Sequence, residues 1–217
     1  MKKGKSNFLV STILILSAIV FTILVKVVDV QLVGANETSI GFAKVNMLVF
    51  KSIGVNMAWY HITDWLGLVP IFIAIVYAII GGIQLVKRKS LFKVDKEIII
   101  LGIFYIVVIA IYVLFEKVII NYRPILMNGY LEASYPSSHT LMTICLCGSS
   151  IIINKKLFKN RFSKFINIVS AIIILVTIIG RLISGVHWFT DIVGGIMISI
   201  SLLTTLHSII EKIIKED

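Results

Sequence analysis

"GRLISGVHWFTD", residues 180–191, sets Arg181, His187 and Asp191 between two apolar runs near the end of a 217-residue chain. Charged and titratable side chains beside hydrocarbon are costly, and where a membrane chain keeps them they mark a functional site with partners. Whether the flanking runs are membrane spans decides both the fold and the meaning of these three residues.

Composition answers the first question. Hydrophobic residues make up 58% of the chain and charged residues 15%, with a mean hydropathy of +1.01, a balance that excludes an ordinary soluble domain. Six apolar runs stand out: Phe8–Val28, Trp65–Val86, Ile98–Ile120, Ser138–Ile153, Phe165–Arg181 and Ile192–Ile210. Each approaches the ~17–25 residues that cross a hydrocarbon core. The expected fold is all-α: one integral domain over residues 1–217, with six transmembrane helices in a single bundle. The first run exceeds the ~7–15 residues of a secretory signal core, so it reads as an uncleaved span.

The net charge of +10 would suggest nucleic acid or acidic partners in a soluble protein. Here lysine and arginine gather in short loops, which points to topology instead, with the membrane and not nucleic acid as the partner. Fifteen of the 21 basic residues fall at the two termini and in the loops "KRKSLFKVDK" and "NKKLFKNRFSK". That side is cytoplasmic, so both termini are expected there. Lys26, Lys44, Lys51, Lys117, Arg123 and Arg181 lie outward, and the last three flank spans on the face where basic residues are least expected.

Between the first two spans, "GFAKVNMLVFKSIGV" fits a short interfacial helix. Trp59, Tyr60 and Trp65 read as an aromatic belt. Cys145 and Cys147 lie in an apolar run and read as small buried thiols. Glu116 and Glu132 read as solvated carboxylates, and His61 and His207 as structural.

Three outward patches carry the chemistry. "EKVIINYRP" closes the third span with Lys117 and Arg123; "YPSSHT" opens the fourth with Ser137, Ser138 and His139; residues 180–191 join the fifth and sixth. A guanidinium fork matches phosphate oxygens, and a helix start offers free N–H groups to the same anion. His187 and Asp191 are one helical turn apart, so the carboxylate can hold one ring nitrogen and leave the other basic. Such an imidazole can attack phosphorus, and His139 can then protonate the leaving oxygen. The same cations disfavour a divalent ion, so neither a metal site nor a cofactor is expected.

These patches resemble the three signature motifs of the type 2 phosphatidic acid phosphatase superfamily, the lipid phosphate phosphatases whose site is shared with vanadium haloperoxidases. The third motif matches at Arg181, His187 and Asp191, with Gly180 where the family has serine. The second matches at Pro136, Ser137 and His139, with Ser138 in place of glycine. The first matches at Arg123 and Pro124, but the family lysine position falls on Glu116, one residue before Lys117. The likeness covers about residues 60–210.

What the resemblance implies is phosphate binding by Arg123, Ser137, Ser138, Arg181 and, one position late, Lys117. It further implies acid catalysis by His139 and nucleophilic attack by His187 supported by Asp191, in a metal-independent hydrolysis through a phosphohistidine. The expected substrate is a lipid phosphate or diphosphate at the extracytoplasmic face: undecaprenyl diphosphate, phosphatidylglycerophosphate or phosphatidate. The alternatives are a phosphotransferase of the same family and a non-enzymatic anion or lipid transporter. Transporters place such groups near the bilayer midplane, whereas these sit at span ends.

Overall fold

The structure is a computed structural model that describes residues 2–157 and 161–216. Lys159 of the second basic loop lies outside the described residues. The chain runs through α1 (Lys2–Val27), a two-stranded hairpin of β1 (Gln31–Leu32) and β2 (Ser39–Ile40), α2 (Ala43–Ile53), α3 (Met57–Leu66) and α4 (Leu68–Arg88). It continues through α5 (Lys96–Lys117), α6 (Ser138–Leu157), α7 (Arg161–Ser184) and α8 (Phe189–Glu216). The all-α expectation holds, apart from that minimal hairpin.

Among the described residues, five helical segments are long and apolar enough to cross a membrane: 7–27, 57–88, 96–117, 161–184 and 189–213. The fourth apolar run forms α6, 20 residues long, or about 30 Å at the helical rise. It falls short in hydropathy for a reason visible in its packing. Helix α6 stands in the middle of the bundle against α4, α5, α7 and α8, and from Thr140 to Ser150 it is buried almost all round. A helix that meets protein on every side can carry small polar residues where a lipid-facing one cannot. Ser149 and Ser150 are accordingly buried, as are Ser170 and Thr177 on α7 and Ser199 on α8.

The outer faces show the opposite pattern. Ile19 of α1, Ile75 of α4, Ile106 of α5 and Leu175 of α7 are exposed, as expected of side chains that meet lipid rather than water. Polar contacts inside the bundle are sparse and specific. The Tyr77 hydroxyl donates to Asn154 Oδ1 at 2.7 Å, tying α4 to α6. The hydroxyls of Ser11 and Ser208 meet at 3.2 Å between α1 and α8. Cys145 and Cys147 are buried free thiols, as their apolar setting suggested.

The outward segment is more ordered than a tethered loop. The short helix read between Lys44 and Lys51 is present as α2. The second apolar run begins earlier than hydropathy indicates, because α3 precedes it. Asn56 caps α3 by accepting from the backbone N–H groups of Ala58 and Trp59. Its own N–H donates to the Ser184 carbonyl at 3.0 Å, which pins the start of α3 to the end of α7. This clasp brings α3 over Arg181.

Candidate active site

Four elements supply the site: the last turn of α3, the 118–137 loop, the start of α6, and the link from α7 to α8. The loop is held as a narrow hairpin, with the Arg123 N–H donating to the Glu132 carbonyl at 3.1 Å and the Ser134 N–H to the Asn121 carbonyl at 2.9 Å. It is fastened to α8 where the Ser137 N–H donates to the Asp191 carbonyl at 3.0 Å. Residues from the second half of the chain are thereby brought to one place.

His187 is buried between α7 and α8. An Arg123 Nη1–H donates to its Nε2 at 3.4 Å, and arginine has no acceptor to offer. Nε2 is therefore the nitrogen with the lone pair, and Nδ1 carries the proton. Nδ1 faces the Ser134 hydroxyl at 3.1 Å, and that hydroxyl in turn donates to Asp191 Oδ2. Burial, reinforced by the positive charges of Arg123 and Arg181, holds the His187 imidazole well below its ordinary pKa. The ring is neutral at neutral pH, as a nucleophile must be.

The direct contact expected between His187 and Asp191 is replaced by a relay. The nearest approach is 3.8 Å, beyond a hydrogen bond, and Ser134 fills the gap. Asp191 is fully buried and satisfied by others: the Trp188 N–H donates to Oδ2 at 2.8 Å and Asn121 Nδ2 to Oδ1 at 3.4 Å.

The two arginines differ in environment. Arg123 is nearly buried and forms an ion pair with Glu132, Nε to Oε2 at 3.0 Å, so Glu132 is more than the solvated carboxylate its sequence context suggested. Arg181 is completely buried. It lies 5.0 Å from the centre of the Tyr60 ring, a cation–π contact, and its Nη2 donates to Asp64 Oδ1 at 3.3 Å. Among the described residues, its buried Nε and Nη1 have no hydrogen-bond partner. Two donors held dry and unpaired are an anion site in waiting.

His139, in the first turn of α6, turns its Nε2 to Asp64 Oδ1 at 3.0 Å. Arg181, His187 and Arg123 all lie within electrostatic reach of it. Ser137 is buried and caps α6, accepting from the Thr140 N–H at 3.5 Å and from the Thr140 hydroxyl at 3.1 Å. Ser138 lies at the boundary of two cavities. One, of about 10 Å³, is lined by Glu116, Ser134, Ser138 and His187. The other, a groove of about 300 Å³, is lined by Asp64, His139, Leu68, Ile71, Met142 and Leu146 and runs along the α4–α6 seam.

Lys117 ends α5 exposed to solvent. Among the described residues, no hydrogen bond or ion pair joins it to this group; Glu116, at the family lysine position, lines the smaller cavity instead. Gly180 also has a physical reason. A Cβ there would stand 2.4 Å from Thr63 Cγ2 and 3.0 Å from Trp59, so the family serine has no room once α3 packs on α7. Trp59 and Tyr60, read from sequence as belt residues, are therefore packed against the site. Sequence reasoning also missed Asp64, Asn121 and Ser134, which carry no motif signal.

With this geometry in view, the comparisons with known proteins are specific. Residues 115–215 match the PAP2 superfamily model. All the motif residues named above fall inside that matched segment. The fold is similar to the crystal structure of a transmembrane PAP2 type phosphatidylglycerolphosphate phosphatase from Bacillus subtilis, at 20% identity and a TM-score of 0.60 over 98% of each chain. No curated relative matches the chain. The family model thus matches the segment that carries the three motifs, and the likeness to the solved structure is one of fold.

Proposed function

We propose that this membrane protein hydrolyses a lipid phosphate or diphosphate without a metal, through a phosphohistidine on His187. The observation that carries the reading is the pairing of a neutral, oriented His187 with two unpartnered donors on buried Arg181. In such a site Arg123, Arg181 and the N-terminus of α6 hold the phosphoryl oxygens. His187 Nε2 attacks phosphorus while Nδ1–H is held by Ser134 and Asp191, which stabilise the positive charge that develops on the ring. His139 gives a proton to the departing lipid oxygen, a step worth roughly 10²–10⁴ in rate. Water then attacks the phosphohistidine, with His139 taking up its proton.

The groove beside His139 favours a lipid as leaving group, since its walls beyond Asp64 and His139 are largely apolar. The distribution of basic residues favours cytoplasmic termini, which puts the site at the extracytoplasmic face. Polyprenyl diphosphate, phosphatidylglycerophosphate and phosphatidate all suit the chemistry. The test is phosphate release by purified protein in detergent from a panel of these three and a soluble monoester, with chelator present and vanadate as inhibitor. Activity lost to chelator and restored by magnesium overturns the mechanism. A phosphorylated second molecule in place of free phosphate assigns a phosphotransferase instead.

A further inference from the structure

Asp64 belongs to none of the three motif patches, yet its carboxylate touches two of their side chains. It sits in the last turn of α3, and one oxygen, Oδ1, accepts from His139 Nε2 at 3.0 Å and from Arg181 Nη2 at 3.3 Å. A carboxylate can only accept, so the histidine nitrogen facing it must carry hydrogen. The other nitrogen, Nδ1, is buried without a hydrogen-bond partner. Asp64 therefore meets the ring on its Nε2 side, where among the described residues it is the carboxylate in contact, and its charge favours the imidazolium with hydrogen on both nitrogens.

That side is the one a general acid needs. Asp64 and His139 stand together at the polar end of the groove in which the lipid portion of a substrate fits. The junction after α3 is also seated on the ring: a Cβ at Gly67 would meet His139 Cδ2 at 3.1 Å. Arg181 gives Asp64 only Nη2, so Nε and Nη1 stay available to a phosphate. The carboxylate can thus remain in place while substrate is bound.

We infer that Asp64 is a positioning residue for the general acid, keeping the His139 imidazolium charged and its Nε2–H turned to the end of the groove where the departing lipid oxygen arrives. The inference rests on the phosphatase reading. In the step, His187 Nε2 forms a bond to phosphorus as the bond from phosphorus to the lipid oxygen breaks. His139, an imidazolium with hydrogen on both nitrogens, passes its Nε2 proton to that oxygen, which leaves as an alcohol or, from a diphosphate, as a lipid monophosphate. His139 is left neutral, with its lone pair at Nε2, and recovers a proton from the water that attacks the phosphohistidine. The site then has two parallel supports: Ser134 and Asp191 behind the nucleophile, Asp64 behind the acid.

The test compares two substrates that differ in their need for an acid. An alkyl lipid phosphate has a poor leaving group, whereas p-nitrophenyl phosphate releases a stable phenolate. With Asp64→Asn, kcat on the lipid phosphate should fall on the order of 10²-fold with KM little moved, and the aryl phosphate by no more than about threefold. Asp64→Glu should recover part of the loss. His139→Ala combined with Asp64→Asn should be no slower than His139→Ala alone, within about threefold, because the two act as one unit.

Equal losses on both substrates, or additive losses in the double variant, would overturn the inference. So would tighter vanadate binding with undiminished lipid turnover, which would make Asp64 a mere competitor for the anion site. Aryl phosphate turnover also reports that the variant has folded. If the unaltered protein releases phosphate from no lipid phosphate, the phosphatase reading itself fails; an active enzyme without the leaving-group contrast removes only the role of Asp64.

Discussion

Asp191 Oδ2 stands 3.8 Å from His187 Nδ1, and the hydroxyl of Ser134 bridges the two, accepting from the ring and donating to the carboxylate. The i, i+4 spacing put these residues on one helix face, but the chain turns into α8 only at Phe189. His187 therefore lies in the link before the helix, and the ring is displaced from the carboxylate by the width of one hydroxyl.

The relay makes Ser134 a measurable part of the machinery. Ser134→Ala should lower kcat by roughly 10–10²-fold, because both the ring proton and the carboxylate lose a partner in a buried site. Asp191→Asn should cost more, on the order of 10⁴, because the amide no longer supports the charge that develops on the imidazole. Phosphate release by the two variants under saturating substrate checks the ranking. Normal turnover in Ser134→Ala would show that the hydroxyl is only filler.

The buried, cation-flanked setting of His187 fixes the sign of a pH effect. Its folded pKa is lowered, with burial as the largest cause and Arg123 next. The folded state thus binds fewer protons there than the unfolded chain does. Its contribution to stability is complete above the ordinary value of about 6.5 and is lost as pH falls below it. The nucleophile likewise stays neutral below pH ~6.5, so the acid limb of kcat/KM should lie well under that value. Arg123→Ala should raise the limb by removing a nearby positive charge. A limb at or above pH ~6.5 in the unaltered protein would contradict the assignment.

Gly180→Ser introduces the serine of the motif that this patch resembles and should harm the protein. Its Cβ meets Thr63 Cγ2 at 2.4 Å, an overpacking cost of about 1–3 kcal/mol. Thermal unfolding in detergent should show a lower midpoint, partly recovered by adding Thr63→Ser, which deletes the obstructing methyl. An unchanged midpoint for the single variant would mean that α3 is not packed on α7 as described.

Glu116 offers a complementary gain. It lines the cavity beside His187, and Glu116→Lys exchanges a negative for a positive charge near the phosphoryl site. Vanadate inhibition should tighten by about tenfold or less, as befits a partly solvated charge. Lys117→Ala should change it little. The reverse order would place Lys117, not the neighbouring position, in the site.

The sequence carried the reacting groups and one support, Asp191, and withheld the others. Arg123, His139, Arg181 and His187 were legible because they interrupt or border apolar runs at recognisable spacings. Asp64 was not, since the hydropathy of the second run begins at Trp65 and leaves "MAWYHITD" looking like interfacial loop. Ser134 resembles any loop hydroxyl until the hairpin at 118–137 folds against α8. The six-run reading found every long helix, with the fourth run already marginal, and α6 is less greasy than its neighbours. A central helix needs no such greasiness, because its environment is other helices. Lys117 shows the converse error: a basic residue close to a motif position can still point elsewhere when the helix rotates by one residue.

The apolar groove along α4 and α6 has a kinetic corollary. A substrate whose tail occupies Leu68, Ile71, Met142 and Leu146 reaches His139 from within a two-dimensional film rather than from solution. Its effective concentration is then its mole fraction among surrounding amphiphiles, so adding inert detergent at constant total lipid should slow turnover by surface dilution alone.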